Sequence, residues 1–263
     1  MKTNLKGNSG FELIRDDMTV IKSGTGRAKE RLERQAQKQC AFEKFVTDKS
    51  IISAVPVISA NSTDTLYAFE MQYVPGPTLA EYIRDHGSES YAPFYMSAIG
   101  RFIRECKTQN SDETTVFEDK ILSLKKQGVE MIDFAHRYEG LIHNFPIGYC
   151  HGDLTLENII VADENNLKLI DFLDSFVSSP LCDAATVMQD TLLHWSYRYE
   201  ELSTKQLDNI MNAHEVFVQS IGPMYEQALP MLLMKVYRIA PYIKDETTAK
   251  WYEKNVKYLL SFL

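Results

Sequence analysis

The segment 151–174 constrains the fold more than any other part of this sequence of 263 residues. It contains two short apolar runs, 159–162 and 167–170, on either side of the polar turn 163–166, with the sequence Asp-Glu-Asn-Asn. Asn and Asp tolerate left-handed backbone and bond their own main chain, so this pattern predicts two strands joined as a β-hairpin. Because a hairpin brings its two ends together, we expect the polar residues just outside it to meet at one edge.

Those polar residues are of the types that phosphate chemistry requires. Asp153 lies five positions before Asn158, and Asp171 follows Asn158 by thirteen positions. One carboxylate can accept a proton from a hydroxyl group, while an amide oxygen and a second carboxylate can hold Mg²⁺, a hard cation that prefers oxygen ligands. The plainer interpretation is a turn whose polar side chains only cap backbone groups. We favour phosphoryl transfer, because several typed positions at fixed spacing must otherwise coincide by chance.

The sequence His151-Gly152-Asp153, followed by Asn158 and Asp171, resembles the catalytic and metal-binding loops of the protein-kinase-like fold. The His-Gly-Asp form is similar to the aminoglycoside phosphotransferase and choline kinase branch, whose members phosphorylate small molecules. The resemblance implies that Asp153 is the catalytic base, that Asn158 and Asp171 hold Mg²⁺, and that His151 supports the loop. It extends over nearly the whole chain as an order of elements, although only this segment is specific.

Two positions depart from the pattern of these families. Leu173 stands where protein kinases have the glycine of Asp-Phe-Gly, and Glu157 stands where the aminoglycoside enzymes commonly have a small residue. The first departure is common in this branch. The second has no explanation from sequence.

The N-terminal part contains residues that the resemblance assigns to the nucleotide. Lys22 closes a short strand and would pair with the α- and β-phosphates. The glycine-bearing loop before it contains Gly7, Ser9 and Gly10, and glycines let backbone N–H groups approach phosphate oxygens closely. A surface lysine at a strand end and an ordinary hairpin loop are the alternatives.

An amphipathic helix is predicted over residues 27–46 from apolar positions at mostly helical intervals. In the family such a helix supplies a glutamate that orients the lysine. We assign this role to Glu43, with Glu33 as the next choice and Glu30 as a third candidate. Any of the three can also be a solvated charge on the helix face.

The segment Gln72-Tyr73-Val74-Pro75-Gly76-Pro77 ends a predicted strand with residues that restrict the backbone. By resemblance it is the hinge, where backbone groups near Gln72 and Val74 would bond an adenine. The expected fold class is therefore α+β, a protein-kinase-like two-lobe fold. The N-terminal lobe, residues 1–75, would be small and mixed α/β and would bind the nucleotide. The C-terminal lobe, residues 76–263, would be large and mainly helical and would carry the catalytic and acceptor-binding residues. ATP or GTP would lie between them.

The C-terminal part supplies further candidates. Asp183 begins a predicted helix and resembles an acidic residue that braces the catalytic loop by accepting hydrogen bonds from its backbone. The family builds its acceptor pocket from C-terminal helices, so Asp190, His194 and Glu200 are candidates for substrate contact. Aromatic residues are dense around His194, a pattern that is also typical of ordinary core packing.

Periodicity and turn residues predict the remaining elements. The predicted strands are 3–5, 11–14, 18–21, 51–59 and 66–73, and the predicted helices are 78–86, 91–108, 117–138, 183–199, 203–219, 224–240 and 246–262.

Composition limits the class of protein. Apolar residues make up 44% of the chain, enough for a sizeable core, and no run is long enough to span a membrane. Four scattered cysteines predict neither a disulfide framework nor a zinc site. A net charge of −8 argues against a nucleic-acid surface. A cytoplasmic protein without membrane insertion is the expectation, and the oligomeric state stays open.

Together these patterns predict a small-molecule kinase that transfers the γ-phosphate of ATP or GTP to a hydroxyl group, with Mg²⁺ as cofactor. Aminoglycosides, amino alcohols, sugars and nucleosides are all open as acceptors. The alternative is a catalytically silent kinase-fold module that binds a nucleotide or a partner. Protein-kinase activity is disfavoured because the chain has no Ala-Pro-Glu segment and little room for an activation loop after Asp171.

Overall fold

The computed structural model describes residues 3–6, 11–15, 18–42, 51–129, 131 and 140–261. The chain divides into two compact units. The first comprises Met1–Leu79 and Asn158–Asp174, and the second comprises Ala80–Glu157 and Ser175–Leu263. The expected division into lobes at residues 75 and 76 stays a prediction.

The first unit is rich in strands. Its elements are β1 (Thr3–Lys6), β2 (Glu12–Arg15), β3 (Thr19–Thr25), α1 (Arg27–Ala41), β4 (Ile52–Ala54), β5 (Val57–Ser62) and β6 (Leu66–Gln72), and later in the chain the hairpin strands Ile159–Asp163 and Asn166–Leu169. Five strands form an antiparallel sheet in the order β1-β2-β3-β6-β5. One face of α1, with Leu32 and Ala36, packs in a core with Phe69 and Met71.

The predicted strand 51–59 is wrong, because it is two strands in different sheets. β4 pairs in parallel with Asn166–Leu169, whereas β5 pairs with β6. Between them, Val55 N–H donates to Leu169 O, and Pro56 has no N–H with which to continue the ladder. The proline therefore marks the point where the chain passes from one sheet to the other.

The second unit is mainly helical. Its elements are α2 (Leu79–His86), α3 (Ala92–Glu105), β7 (Lys107–Ser111), α4 (Thr114–Lys126), β8 (Phe145–Gly148), α5 (Pro180–Thr191), α6 (Thr204–Ile221), α7 (Met224–Tyr237) and α8 (Glu246–Leu260). The two hairpin strands of the first unit follow β8 in the chain and are called β9 (Ile159–Asp163) and β10 (Asn166–Leu169). All twelve residues of α5 are buried, as are eleven of the fourteen residues of α7. These two helices form the centre of the unit. No helix in the described part of the chain has the length and apolarity to cross a membrane.

Three predicted helices differ from the observed ones. The helix predicted over 91–108 ends at Glu105, and polar residues 107–111 form β7 against β8. Within the described residues, the helix predicted over 117–138 is present as α4 from 114 to 126. The helix predicted over 183–199 instead spans 180–191: Ser179 caps its start by accepting from Leu181 N–H, and His194 beyond its end has a φ of 60°. The aromatic cluster therefore follows α5 and does not belong to it.

Candidate active site

The predicted hairpin is present in the first unit and brings the two predicted metal ligands together. β9 and β10 pair antiparallel, with Leu169 opposite Ile159. Ile170 N–H donates to Asn158 O at 3.1 Å, so Asn158 and Asp171 lie at the same end of the hairpin. Asp171 has a φ of 62°, in the left-handed region that aspartate tolerates better than most residues.

A buried lysine lies beside this end of the hairpin. Lys22, opposite Phe69 in the β3–β6 pair, is 3% exposed. Its Nζ forms an ion pair with Asp171 Oδ1, and the Asp171 side chain keeps 39% of its surface exposed. A buried ammonium group and a partly exposed carboxylate are thus held together in one unit. A cation in this position can neutralise phosphate oxygens, and the carboxylate can share a metal ion with them.

The other residues assigned to the phosphates cannot be placed. Gly7, Ser9 and Gly10 of the glycine-bearing loop lie outside the described residues, as does Glu43. Of the alternative helix glutamates, Glu30 is exposed and Glu33 is half-buried on α1.

The polar residues on the buried face of α1 are two glutamines, for which the sequence predicted no role. Gln35 and Gln39 are 4% and 2% exposed. Gln39 Nε2 donates to Val55 O at 2.6 Å, whereas Gln35 Oε1 is buried and has no hydrogen-bond partner among the described residues. Their spacing with Leu32 and Ala36, which marks the buried face of the helix, is the signal in the sequence that identifies them.

Two of the four backbone N–H groups in the predicted hinge, 72–77, donate to described residues. Gln72 N–H donates to Pro56 O and Tyr73 N–H to Met18 O. Val74 N–H takes part in none of the hydrogen bonds between described residues. A little further on, Gly76 has a φ of 141°, and a Cβ there would overlap the carbonyl oxygen of Val161 in β9.

The predicted catalytic loop, residues 151–156, belongs to the second unit and is held by Asp183 at the start of α5. The Asp183 carboxylate accepts from His151 N–H at 2.6 Å and from Gly152 N–H at 2.9 Å. Complete burial raises the pKa of Asp183 to about 7, while these two N–H donors and Lys235 act in the opposite direction. His151 is fully buried, and its Nδ1 accepts from Asp153 N–H at 3.3 Å. The geometry is that of the bracing role expected for Asp183.

Asp190, predicted as a substrate contact, holds the other end of the same loop. Its side chain is inaccessible to solvent: Oδ2 accepts from Leu156 N–H at 2.6 Å, and Oδ1 accepts from the Ser196 hydroxyl at 2.8 Å. Burial raises the pKa of Asp190 to about 7. Asp183 and Asp190 are seven residues apart, about two helical turns, so one face of α5 holds both ends of the loop. These contacts disfavour a role for Asp190 in substrate binding.

The other two substrate candidates lie in the segment that follows α5. His194 is half-buried, and its Nε2 has no hydrogen-bond partner among the described residues; burial lowers its pKa. Glu200 forms an ion pair with Arg84 at 2.8 Å. Between them, the Arg198 guanidinium stacks on Trp195 with its central carbon 3.7 Å from the ring centre.

Glu157, which the sequence left unexplained, is electrostatically coupled to the catalytic loop. Desolvation raises the pKa of Glu157, the cation of Arg198 lowers it, and the carboxylates of Asp153 and Glu200 raise it further. Glu157 therefore adds negative charge next to the predicted catalytic base. In the sequence, only its departure from the family pattern marks Glu157 as unusual.

Among the solved structures that share the fold are three complexes of phosphotransferases. The kanamycin and GDP complex of the aminoglycoside phosphotransferase APH(2")-IIia matches with a TM-score of 0.62 at 10% identity, over 99% of this chain and 92% of that one. The ADP and hygromycin B complex of APH(4)-Ia gives 0.59 at 12% identity, over 99% and 93%. The ADP and streptomycin complex of APH(3'')-Id from Streptomyces rimosus gives 0.52 at 15% identity, over 86% and 94%.

These likenesses confirm the expected fold class, a protein-kinase-like α+β fold with a small strand-rich part and a helical part. A family model described as the phosphotransferase enzyme family, APH, matches residues 25–228, which include α1, the hinge, the catalytic loop and the hairpin. The match covers most of the chain and all of the specific motifs after Lys22. The chain therefore belongs to the APH phosphotransferase enzyme family.

Proposed function

We propose that this phosphotransferase moves the γ-phosphate of ATP or GTP to a hydroxyl group of a small acceptor. The observation that carries the proposal is the pairing of buried Lys22 with Asp171, at the hairpin end that also holds Asn158. Phosphoryl transfer depends mainly on positioning and on neutralising phosphate charge, and these groups suit both tasks. The related structures were obtained with GDP and with ADP, so both purine nucleotides are candidates.

The residues present fit a magnesium ion. Asn158 and Asp171 offer an amide oxygen and a carboxylate, the hard oxygen donors that Mg²⁺ prefers, and the hairpin holds both at one end. Mg²⁺ commonly takes only one or two protein ligands and completes its shell with phosphate oxygens and water. When bound, it would neutralise charge on the nucleotide phosphates.

The first unit would bind the nucleotide through a side chain and a backbone group. Lys22 would donate hydrogen bonds to phosphate oxygens, while its partner Asp171 would help to hold the metal ion. Val74 N–H, which donates to no described residue, would bond the purine ring. Gly7, Ser9 and Gly10 would add backbone donors to the phosphates, and Glu43 would orient Lys22.

Asp153 would perform the proton transfer. Its carboxylate accepts the proton of the acceptor hydroxyl as that oxygen forms a bond to the γ-phosphorus, and the bond from the γ-phosphorus to the β–γ bridging oxygen breaks. The nucleoside diphosphate leaves with its charge balanced by Lys22. The brace from Asp183 to His151 and Gly152 supports this role, because it fixes the backbone immediately before Asp153.

The acceptor would be a small polar molecule such as an aminoglycoside, an amino alcohol or a sugar. Related structures contain kanamycin, hygromycin B and streptomycin. In the second unit, the Glu157 carboxylate interacts with that of Asp153 and adds negative charge there, which favours an acceptor that carries an amino group. His194 and Glu200 remain our candidates for contact with the acceptor.

The variant Asp153→Ala tests the base. General-base assistance contributes about 10²- to 10⁴-fold, so we expect transfer to fall by at least about 100-fold while Mg·ATP binding changes little. Transfer is measured as Mg²⁺-dependent ADP release with a panel containing kanamycin, choline, ethanolamine, glucosamine and a nucleoside. Asp208→Ala, on the exposed face of α6, is the matched control and should behave as the wild type.

Full activity in Asp153→Ala would overturn the assignment of the base. A thermal shift with Mg·ATP, combined with no transfer to any member of the panel, would instead identify a nucleotide-binding module without chemistry. Absence of any shift at millimolar ATP and GTP would contradict the nucleotide site itself.

A further inference from the structure

Lys235 is a buried cation that the proposed chemistry does not use. It lies on α7, is 7% exposed, and its Nζ is 3.3 Å from the carbonyl oxygen of Gly152 in the catalytic loop. A buried ammonium group is costly to desolvate unless it is paired and hydrogen-bonded. Its neighbours are the carbonyl of Gly152 and the carboxylate of Asp183, whose pKa the lysine lowers.

The contact falls on the peptide bond that leads into Asp153. The carbonyl of that peptide belongs to Gly152 and faces Lys235, while its N–H belongs to Asp153 and donates to His151 Nδ1. A peptide unit is planar, so partners on its C=O and its N–H together fix the orientation of the whole unit. The preceding N–H, that of Gly152, is held by Asp183.

Gly152 needs these partners more than an ordinary loop residue does. Its φ is 93°, in the region that glycine enters freely, so its own backbone preferences do not select one orientation for the next peptide. The partners of the carbonyl and of the N–H must select it instead. Among them Lys235 comes from α7, more than eighty residues further along the chain.

We infer that Lys235 is a positioning residue for Asp153: by holding the Gly152 carbonyl, it fixes the peptide from which the catalytic carboxylate projects. The inference rests on the proposed role of Asp153 as base. The competing explanation is that Lys235 only offsets the buried charge of Asp183. The two differ in what they predict, because charge balance affects stability alone, whereas positioning affects the rate of the folded enzyme.

Lys235→Met tests the inference, because methionine keeps the apolar stem and removes the donor and the charge. We expect kcat of the folded protein to fall by about 10- to 100-fold, the range in which small misplacements of catalytic groups act, with the KM for ATP changed by less than about threefold. Lys235→Arg, which keeps the charge and offers donors, should lose less activity than Lys235→Met. Lys250→Met on α8 removes an exposed lysine and is the control.

A second measurement needs no acceptor. Amide hydrogen exchange in the wild type and in Lys235→Met is compared for peptides covering 149–156 and, as an internal reference, 180–191. The inference requires faster exchange in the catalytic loop with little change in α5. Hydrolysis of Mg·ATP without an acceptor supplies a rate for the same two proteins.

A kcat of Lys235→Met within twofold of the wild type, whatever its melting temperature, overturns the inference, as does unchanged exchange in 149–156. Should the methionine variant not fold, Lys235→Gln decides by the same two criteria, because its shorter neutral side chain removes both the charge and the reach to the carbonyl. Failure of the proposed function gives a different result: Asp153→Ala then keeps its activity, whereas failure of this inference leaves Asp153→Ala inactive.

Discussion

Lys22 carries a positive charge into the first unit with almost no exposure to solvent, and Asp171 is its ion-pair partner. The partner is partly exposed, so water can solvate Asp171 when the lysine is removed. The pair is therefore better suited to binding a ligand than to stabilising the fold, since partly exposed ion pairs contribute little to stability.

Lys22→Met should weaken Mg·ATP binding by about 10- to 100-fold, the equivalent of the 1.5–3 kcal/mol of a charged hydrogen bond, and change the free energy of unfolding by less than about 1 kcal/mol. Isothermal titration calorimetry with Mg·ATP measures the first quantity, and urea unfolding measures the second. Lys168→Met is the control: Lys168 lies in β10 of the same unit and donates to the Ser53 hydroxyl at 2.8 Å. An unchanged affinity in Lys22→Met would contradict the phosphate site.

At this scale the sequence gives a signal only for residues inside motifs. Asn158, Asp171 and Asp183 stand out, and Lys22 with them, because typed residues at fixed spacing form a local pattern. Lys235 belongs to no such pattern. A single polar residue in an otherwise apolar helix looks like an exposed position until its buried partner is known, and the partner of Lys235, Gly152, is distant in sequence.

At the scale of elements, the hinge depends on the close approach of Gly76 to β9. A Cβ at Gly76 would overlap the Val161 carbonyl, and the φ of 141° is strained for any other residue. The neighbouring backbone adds two contacts: Val161 N–H donates to Pro77 O, and Thr78 bridges to Ile160. This segment is thus attached to the hairpin whose end holds the predicted metal ligands.

Gly76→Ala should destabilise the protein by about 2–4 kcal/mol, because backbone strain of about 1–2 kcal/mol adds to the cost of displacing β9. Gly26→Ala separates the two causes: Gly26 has a φ of 58°, but nothing lies within 4 Å of its absent Cβ, so only the strain remains. Urea unfolding monitored by far-UV circular dichroism provides both values. Equal losses in the two variants would mean that contact with β9 adds nothing.

Element types were more predictable than element ends. The hairpin followed from its turn residues, and the helices from their periodicity. The break at Pro56 was missed because β4 and β5 are continuous in apolar character, and only their partners in different sheets separate them. The end of α5 was missed because residues 192–199 keep a helical composition, whereas the left-handed backbone of His194 has no sequence signal.

For the whole molecule, the order of elements predicted the fold class, but the membership of the two units was not predictable. Residues 158–174 belong with the first unit because β10 pairs in parallel with β4, more than a hundred positions earlier in the chain. Such long-range parallel pairing has no local pattern.

Stability as a function of pH also reflects the whole molecule, because its buried titratable groups act in opposite directions. Burial raises the pKa of Asp183 and Asp190 to about 7. Their contribution to the free energy of unfolding is therefore present at low pH and is lost as the pH rises from about 4 to about 7. His214 acts the other way. It is 6% exposed and shares a hydrogen bond with the Thr191 hydroxyl at 2.9 Å, linking α6 to α5, and burial lowers its pKa to about 4.

A histidine whose folded pKa lies below its ordinary value of about 6.5 binds protons more readily when unfolded. Its contribution is therefore present above pH 6.5 and is lost as the pH falls towards 4. His214→Gln removes this titration, while the two aspartates stay in both proteins and cancel in the comparison. The stability advantage of the wild type over His214→Gln should shrink by on the order of 2 kcal/mol between pH 7.5 and pH 5.

Urea unfolding of both proteins at the two pH values measures this difference directly. His143→Gln provides the control, because His143 is exposed and bonds Asp112 at the surface of the protein. A parallel pH dependence in the wild type and His214→Gln would show that His214 is protonated in the folded state without cost. The contact between α5 and α6 would then have to accommodate a buried imidazolium, which the single hydroxyl of Thr191 is poorly suited to stabilise.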